Sequence, residues 1–162
     1  MRLLRGSLPA ALRGSLPLER GERVLAHAPT RGGSHVAATT AALHLPSPEG
    51  EFVRVPYERI DSAAWKDGWL HVTETSRAAH HVRLTEPGSV PETIRERVTA
   101  TVAVSHRAEL PGGGVRIAGR RPATGGDVRW TFVFDAGMDP DDPGLRARAE
   151  QILEDLRRQT GL

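Results

Sequence analysis

The chain has 162 residues, a formal net charge of +2 and no cysteine. Without cysteine this chain cannot form disulfides, thiolate metal sites or a cysteine nucleophile. The pI near 9.9 reflects arginine, whose pKa is very high, and not a large excess of positive charge, because Lys66 is the only lysine.

The first 20 residues are predicted to form an N-terminal arm. The segment 4–9 (LRGSLP) recurs at 12–17, and its Gly and Pro break any helix longer than a turn or two. We expect the arm to lay its leucines on the following domain; an interfacial anchor or a partner-docking peptide is the alternative. No run of signal-peptide or membrane-spanning length occurs, which favours a cytoplasmic location, with peripheral attachment to a membrane as the alternative.

Seven short strands are predicted between Arg23 and Leu84, because apolar runs are separated there by turn residues. Their predicted positions are residues 23–28, 35–39, 41–45, 52–56, 63–65, 69–73 and 80–84. The second and third strands are either bent at Thr40 or paired around it. Asp67 and Gly68 are typical of a two-residue hairpin turn.

A helix is predicted to begin at about Pro91, where Ser89 and Glu92 have the spacing of a capping box. Its apolar face comprises Ile94, Val98, Thr101 and Val102. The end of this helix stays open, since residues 98–104 are rich in β-branched side chains, which favour strands. Strands closed by one helix are typical of a small split barrel.

The last third of the chain repeats this order, with fewer strands followed by a single helix. Strands are predicted at residues 107–110, 115–118 and 128–134, with glycine turns at 112–114 and 125–126. A final helix should begin after Asp142 as N-cap, with Pro143 in its first turn, and should end at Gly161.

Four segments carry a resemblance to a known family: residues 21–25 (GERVL), 38–43 (ATTAAL), 55–60 (VPYERI) and 69–72 (WLHV). In this order they resemble bacterial pleckstrin-homology-like (PH-like) modules, including the GRAM type. The whole chain also resembles small actinobacterial proteins, through Arg120-Arg121-Pro122 and the 139–143 lead-in to the last helix.

The resemblance implies an α+β fold in which a PH-like split β-barrel is closed by a helix. The predicted organisation is the arm (1–20), the barrel and helix (21–104), and a three-strand plus C-terminal helix extension (105–162) packed on the same domain. Members of that fold bind phosphoinositide headgroups or proteins. Headgroup-binding members carry several basic residues around the first strand turn, where this chain has only Arg31.

Two groups of side chains are candidate metal sites. His80 and His81 alternate across a strand, so they point to opposite faces; His71 on the neighbouring strand could join one of them, with Glu74 or Asp67 as a carboxylate. Ordinary exposed strand histidines are the favoured interpretation. The second group, Asp135, Asp139, Asp141 and Asp142, lacks the glycine and distal glutamate of a calcium loop, and helix capping explains it. We therefore predict no metal site.

No motif predicts catalysis or a cofactor. Ser34-His35 and Ser105-His106 are adjacent pairs, which is not the geometry of a nucleophile and its base, and no Gly-x-Ser-x-Gly elbow occurs. Residues 112–114 do not match a phosphate-binding loop. An unrecognised enzyme is therefore the weakest of three functional hypotheses.

The favoured hypothesis is a non-catalytic binding module that serves as an adaptor for a protein partner. The alternative is binding of an anionic ligand, an anionic lipid surface or RNA through a hairpin that carries Arg116, Arg120, Arg121 and Arg129. Trp65 and Trp69 flank the 67–68 turn and are interpreted as core and rim residues.

Overall fold

A computed structural model describes residues 8–162, so most of the first copy of the LRGSLP repeat lies outside the described residues. The chain forms two compact units, with the boundary between Thr99 and Ala100. The sequence predicts this boundary five residues later, between residues 104 and 105. Within the described residues, no helix combines the length and the apolarity needed to cross a membrane.

The first unit contains the seven expected strands. They are β1 (Val24–Pro29), β2 (His35–Thr39), β3 (Ala42–Pro46), β4 (Phe52–Pro56), β5 (Ile60–Lys66), β6 (Trp69–Glu74) and β7 (Ala79–Arg83). They form two antiparallel sheets, β1-β2-β3-β4 and β5-β6-β7. The second and third strands pair around Thr40 as a hairpin and are not one strand bent there, because Ala38 pairs with Leu43.

One corner joins these two sheets. An isolated antiparallel bridge links Thr30, just after β1, to Leu84, just after β7. The N–H of Arg31 also donates to the carbonyl of Arg83 at 2.9 Å. Between the described strands no further ladder closes the two sheets into a continuous barrel. The mixed α+β class is thus confirmed.

Helix α2 (Val90–Thr101) follows the strands, as the capping-box spacing predicts. Its Val90 and Ile94 are fully buried in the core of the first unit, together with strand residues from both sheets. The largest of these buried residues are Tyr57, in the turn between β4 and β5, and the strand residues Leu43, Leu45, Ile60 and Leu70.

The described part of the N-terminal arm carries a short helix, α1 (Ala10–Ser15). Leu8 before it and Leu16 after it are both buried, and they pack with Ala37 of β2. The arm therefore buries leucines from both copies of the repeat on one small apolar surface.

The second unit has an antiparallel sheet of order β10-β9-β8 and a long helix. Its elements are β8 (Val102–Leu110), β9 (Gly113–Arg120), β10 (Arg129–Phe134) and α3 (Pro143–Thr160). Strand β8 begins at Val102 and not at residue 107, so the β-branched tail is divided: residues 98–101 belong to α2 and residues 102–104 to β8. Val115, Ile117 and Phe134 pack against Ala149 and Leu156 of α3.

Helix α3 begins and ends where its capping residues predict. The Asp142 carboxylate accepts hydrogen bonds from the N–H groups of Gly144 at 2.9 Å and Leu145 at 3.2 Å. Gly161 follows the last turn with φ of 72°, a left-handed conformation that glycine adopts without steric cost.

Candidate functional site

A groove of about 450 Å³ lies in the first unit, between the β1–β2 turn and the exposed face of β6 and β7. Arg31 and Arg83 line it, together with His81 and the indole of Trp69. The other four lining residues are uncharged, and none of the eight is acidic. The groove is therefore a cationic surface with one aromatic wall.

The β1–β2 turn places Arg31 at this groove. The hydroxyl of Thr30 accepts the N–H of Ser34 at 3.0 Å, and Gly33 has φ of 86°, which closes the turn. Because the Arg31 N–H also bonds to the Arg83 carbonyl, the two arginines leave adjacent backbone segments.

The β5–β6 hairpin places the aromatic wall. Asp67 and Gly68 both have positive φ, 53° and 84°, as a tight hairpin turn requires. The register pairs Trp69 with Arg83, and the Arg83 guanidinium lies 5.8 Å from the centroid of the Trp69 ring. Trp69 is 38% exposed, whereas Trp65 is half-buried and packs against the core. Only Trp65 thus fits the predicted core role, and Trp69 lines the groove.

The histidines of β6 and β7 separate onto two faces, as strand alternation predicts. His71 pairs with His81 across the strands, and their Nδ1 atoms are 2.7 Å apart. On the other face, His80 Nε2 lies 2.7 Å from the carboxylate of Glu74. Glu74 is therefore the partner of His80 and is not placed with the His71 and His81 pair. In the part of the chain that the structure describes, no group of three or more potential ligands could hold a metal ion.

A second polar cluster is buried in the four-stranded sheet, around a glutamate that precedes β1. The Glu22 carboxylate accepts hydrogen bonds from Thr39, from His44 Nε2 at 2.9 Å and from Arg54 at 3.1 Å. The Glu22 and His44 side chains are 1% and 0% exposed. Nearby, the Tyr57 hydroxyl donates to the carbonyl of Thr39 at 2.7 Å.

Burial and hydrogen bonding oppose each other in the pKa of Glu22. Burial raises the pKa, but hydrogen bonds from the Glu19 N–H and the three side chains outweigh it and lower the pKa to about 2. For His44, burial is the largest influence and lowers the pKa below its ordinary value, despite the adjacent carboxylate. The pair therefore consists of an ionised Glu22 and a neutral His44. Because Glu22 and His44 are both closed to solvent, we interpret this cluster as a structural element.

The four arginines of the predicted binding hairpin have different environments. Arg120 is 3% exposed and donates to the Thr101 hydroxyl at 3.3 Å, and Arg116 is half-buried. Arg121 and Arg129 are exposed, and the register pairs Arg129 with Arg120. Ligand binding by this hairpin stays a prediction; two of its four side chains are open to solvent.

The four aspartates of the candidate calcium site, Asp135, Asp139, Asp141 and Asp142, have separate structural roles. The Asp135 carboxylate forms a two-point ion pair with Arg107, at 2.9 and 2.8 Å, which with the Gly114 N–H lowers the pKa of Asp135 to about 2. Asp139 accepts the N–H of Asp141, and Asp142 caps α3. The capping interpretation of Asp142 is confirmed.

Sequence reasoning identified Arg31, Trp69 and His81 one by one but did not place them together, and it missed Arg83. The alternation of residues 80–84 could have put Arg83 on the face of His81, since they are two positions apart. The bridge between Thr30 and Leu84 joins residues 54 positions apart, and no local pattern indicates it.

Comparison with known proteins finds no matching family model, no matching curated protein and no matching solved structure.

Proposed function

We propose that this protein is a non-catalytic binding module of PH-like architecture that binds a phosphate-bearing anion in the Arg31–Arg83 groove. The observation that carries the proposal is the convergence of two arginines, a histidine and an exposed indole on one groove without an acidic residue. A guanidinium presents paired N–H donors that match the oxygens of a phosphate group.

The backbone supports a preorganised site. The Arg31 N–H to Arg83 carbonyl bond and the Thr30–Leu84 bridge hold the two arginines on adjacent, hydrogen-bonded segments. Little conformational freedom of the main chain is then lost when an anion binds between them. The Trp69 ring adds a flat apolar wall for a sugar, inositol or acyl portion of the ligand.

The order of elements supports the PH-like architecture. Four antiparallel strands, three antiparallel strands and then a helix follow one another in the first unit, and the two sheets are bridged at one corner. The sequence resemblance covers the same region. The groove lies beside the β1–β2 turn, where the resemblance implies that headgroup-binding members place their basic residues.

The protein-adaptor hypothesis stays a prediction. The exposed large apolar residues of the first unit outside the groove, Leu25 and Val53, are each only 39% exposed, and single residues of this kind are normal on a protein surface. The groove therefore favours the anionic ligand over the protein partner.

The test compares binding of inorganic pyrophosphate, followed by NMR chemical shifts, with binding to phosphatidylcholine vesicles that do or do not contain phosphatidic acid. We expect Arg31→Ala and Arg83→Ala each to weaken binding about tenfold, or about 1.4 kcal/mol. Arg77→Ala is the matched control, since Arg77 is an exposed arginine in the β6–β7 turn. Binding should also weaken as salt is raised.

The arms separate the possible sources of the phosphate group. Binding to pyrophosphate alone indicates a soluble ligand, and binding only to vesicles with phosphatidic acid indicates a membrane headgroup. Undetectable binding in both arms, or equal loss in Arg77→Ala and Arg83→Ala, would refute the groove as the site.

A further inference from the structure

His71 and His81 form a close imidazole pair on the exposed face of the β5-β6-β7 sheet. Their Nδ1 atoms are 2.7 Å apart, and their ring centroids are 4.8 Å apart with an interplanar angle of 70°. At this separation one Nδ1–H donates to the lone pair of the other ring. The two Nδ1 atoms thus face each other from adjacent strands.

The separation of the two nitrogens is close to what one metal ion needs. With metal–nitrogen bonds of about 2.0–2.1 Å, two nitrogens on one ion lie about 2.9 Å apart at a right angle and about 3.4 Å apart at a tetrahedral angle. The observed 2.7 Å is nearer to the right angle of tetragonal Cu²⁺ than to the tetrahedral angle of Zn²⁺. An opening of a few tenths of an ångström, with rotation of both rings until the two lone pairs converge on one ion, would admit the former.

The surroundings leave the outer side of the pair open. His81 is exposed and His71 is half-buried, while Ala64 of β5 pairs with His71 and contributes only a methyl group. Arg83, which is two positions from His81 on the same face of β7, lies over the Trp69 ring. Solvent can therefore supply the remaining ligands of an ion held by two imidazoles.

We propose that His71 and His81 form a two-imidazole site for a divalent transition-metal ion, with Cu²⁺ bound more tightly than Zn²⁺. The two Nδ1 lone pairs coordinate the ion, the proton between the rings moves to an outer nitrogen or to solvent, and water occupies the open positions. The strand register supplies the preorganisation, because both side chains project from hydrogen-bonded neighbouring strands. Imidazole is a donor that suits both ions, and the general order of affinities at nitrogen sites and the near-right-angle separation both favour Cu²⁺ over Zn²⁺.

The experiment is a titration of the full, untagged chain with CuCl₂, NiCl₂ and ZnCl₂, followed by calorimetry, with electron paramagnetic resonance of the copper form. We expect a one-to-one copper complex whose spectrum shows two nitrogen donors. His71→Ala and His81→Ala should each weaken copper binding by about tenfold or more, since one of two protein ligands is lost.

His106→Ala is the matched control, because His106 is an exposed strand histidine in β8, and it should leave the affinity within about twofold of the wild type. His80→Ala removes the neighbouring histidine that pairs with Glu74 on the opposite face, and it should also leave the copper affinity unchanged. Unaltered copper affinity in His71→Ala, a one-nitrogen spectrum, or tighter binding of Zn²⁺ than of Cu²⁺ would overturn the proposal. The proposal does not rest on the anion groove, and Arg31→Ala should keep the copper complex.

Discussion

Replacing Glu22 by glutamine tests whether its buried carboxylate stabilises the first unit. Glutamine keeps the shape of the side chain but removes the charge that accepts from Thr39, His44 and Arg54. The pKa of Glu22 is about 2 in the folded chain against an ordinary 4.5. That difference corresponds to about 3 kcal/mol, at about 1.4 kcal/mol for each pKa unit.

The sign of the pH dependence follows from the direction of the pKa change. Because the pKa of Glu22 is lower in the folded than in the unfolded chain, its contribution is complete above pH 4.5 and is lost as the pH falls toward 2. His44, whose pKa is also lowered, stabilises the folded chain in its neutral form, so its contribution declines as the pH falls below 6.5. Glu22→Gln should abolish the first of these losses.

The assay is urea unfolding followed by the amide NMR signals of β3, because these report the first unit by itself. We expect Glu22→Gln to lower the free energy of unfolding by about 3 kcal/mol near neutral pH, a gap that closes between pH 4.5 and 2. Glu51→Gln, at an exposed glutamate in the β3–β4 loop, is the control. A gap below about 0.5 kcal/mol, or a gap that does not depend on pH, would refute the reasoning.

Three further substitutions test other parts of the fold. Tyr57 is the only tyrosine, and burial raises the pKa of its phenol, so ultraviolet titration should show no ionisation until alkaline unfolding; Tyr57→Phe should cost about 1 kcal/mol in urea unfolding. Gly119→Ala should destabilise the second unit by about 1–3 kcal/mol, measured by thermal unfolding, because its Cβ would lie 3.0 Å from the Trp130 ring. Asp142→Ala should cost about 1 kcal/mol by removing the cap of α3, whereas Asp141→Ala should leave the melting temperature almost unchanged.

The elements with local signals were predictable from the sequence. Helix α3 is the clearest case, since Asp142, Pro143 and Gly161 act within a few positions of the residues they cap. The 67–68 hairpin is another, because its two residues adopt the positive φ that the turn requires. The start of β8 was less predictable: Val102 continues the apolar face of α2 in sequence but begins a strand, where pairing with Arg120 outweighs helical spacing.

The features that depend on long-range pairing were not predictable in the same way. Glu22 contacts Arg54 across 32 positions, and Arg31 meets Arg83 across 52. A single sequence shows which residues alternate on a strand, but it does not show which strands become neighbours. Burial can also be misjudged from sequence. The sequence predicts Arg120 as a surface cation, but the fold buries it.

In the first unit, the residue that we expect to control stability and the groove that we expect to bind the anion adjoin opposite ends of β1. Glu22 precedes this strand and Thr30 follows it, and the Glu22 carboxylate bonds to Thr39, His44 and Arg54, none of which lines the groove. Substitutions of residues without a shared partner usually have additive effects. Glu22→Gln should therefore lower stability without changing anion affinity, and Arg83→Ala should do the reverse. In the double variant, each loss should equal that of the single variant; an anion affinity that falls with Glu22→Gln alone would show that the two ends of β1 are coupled.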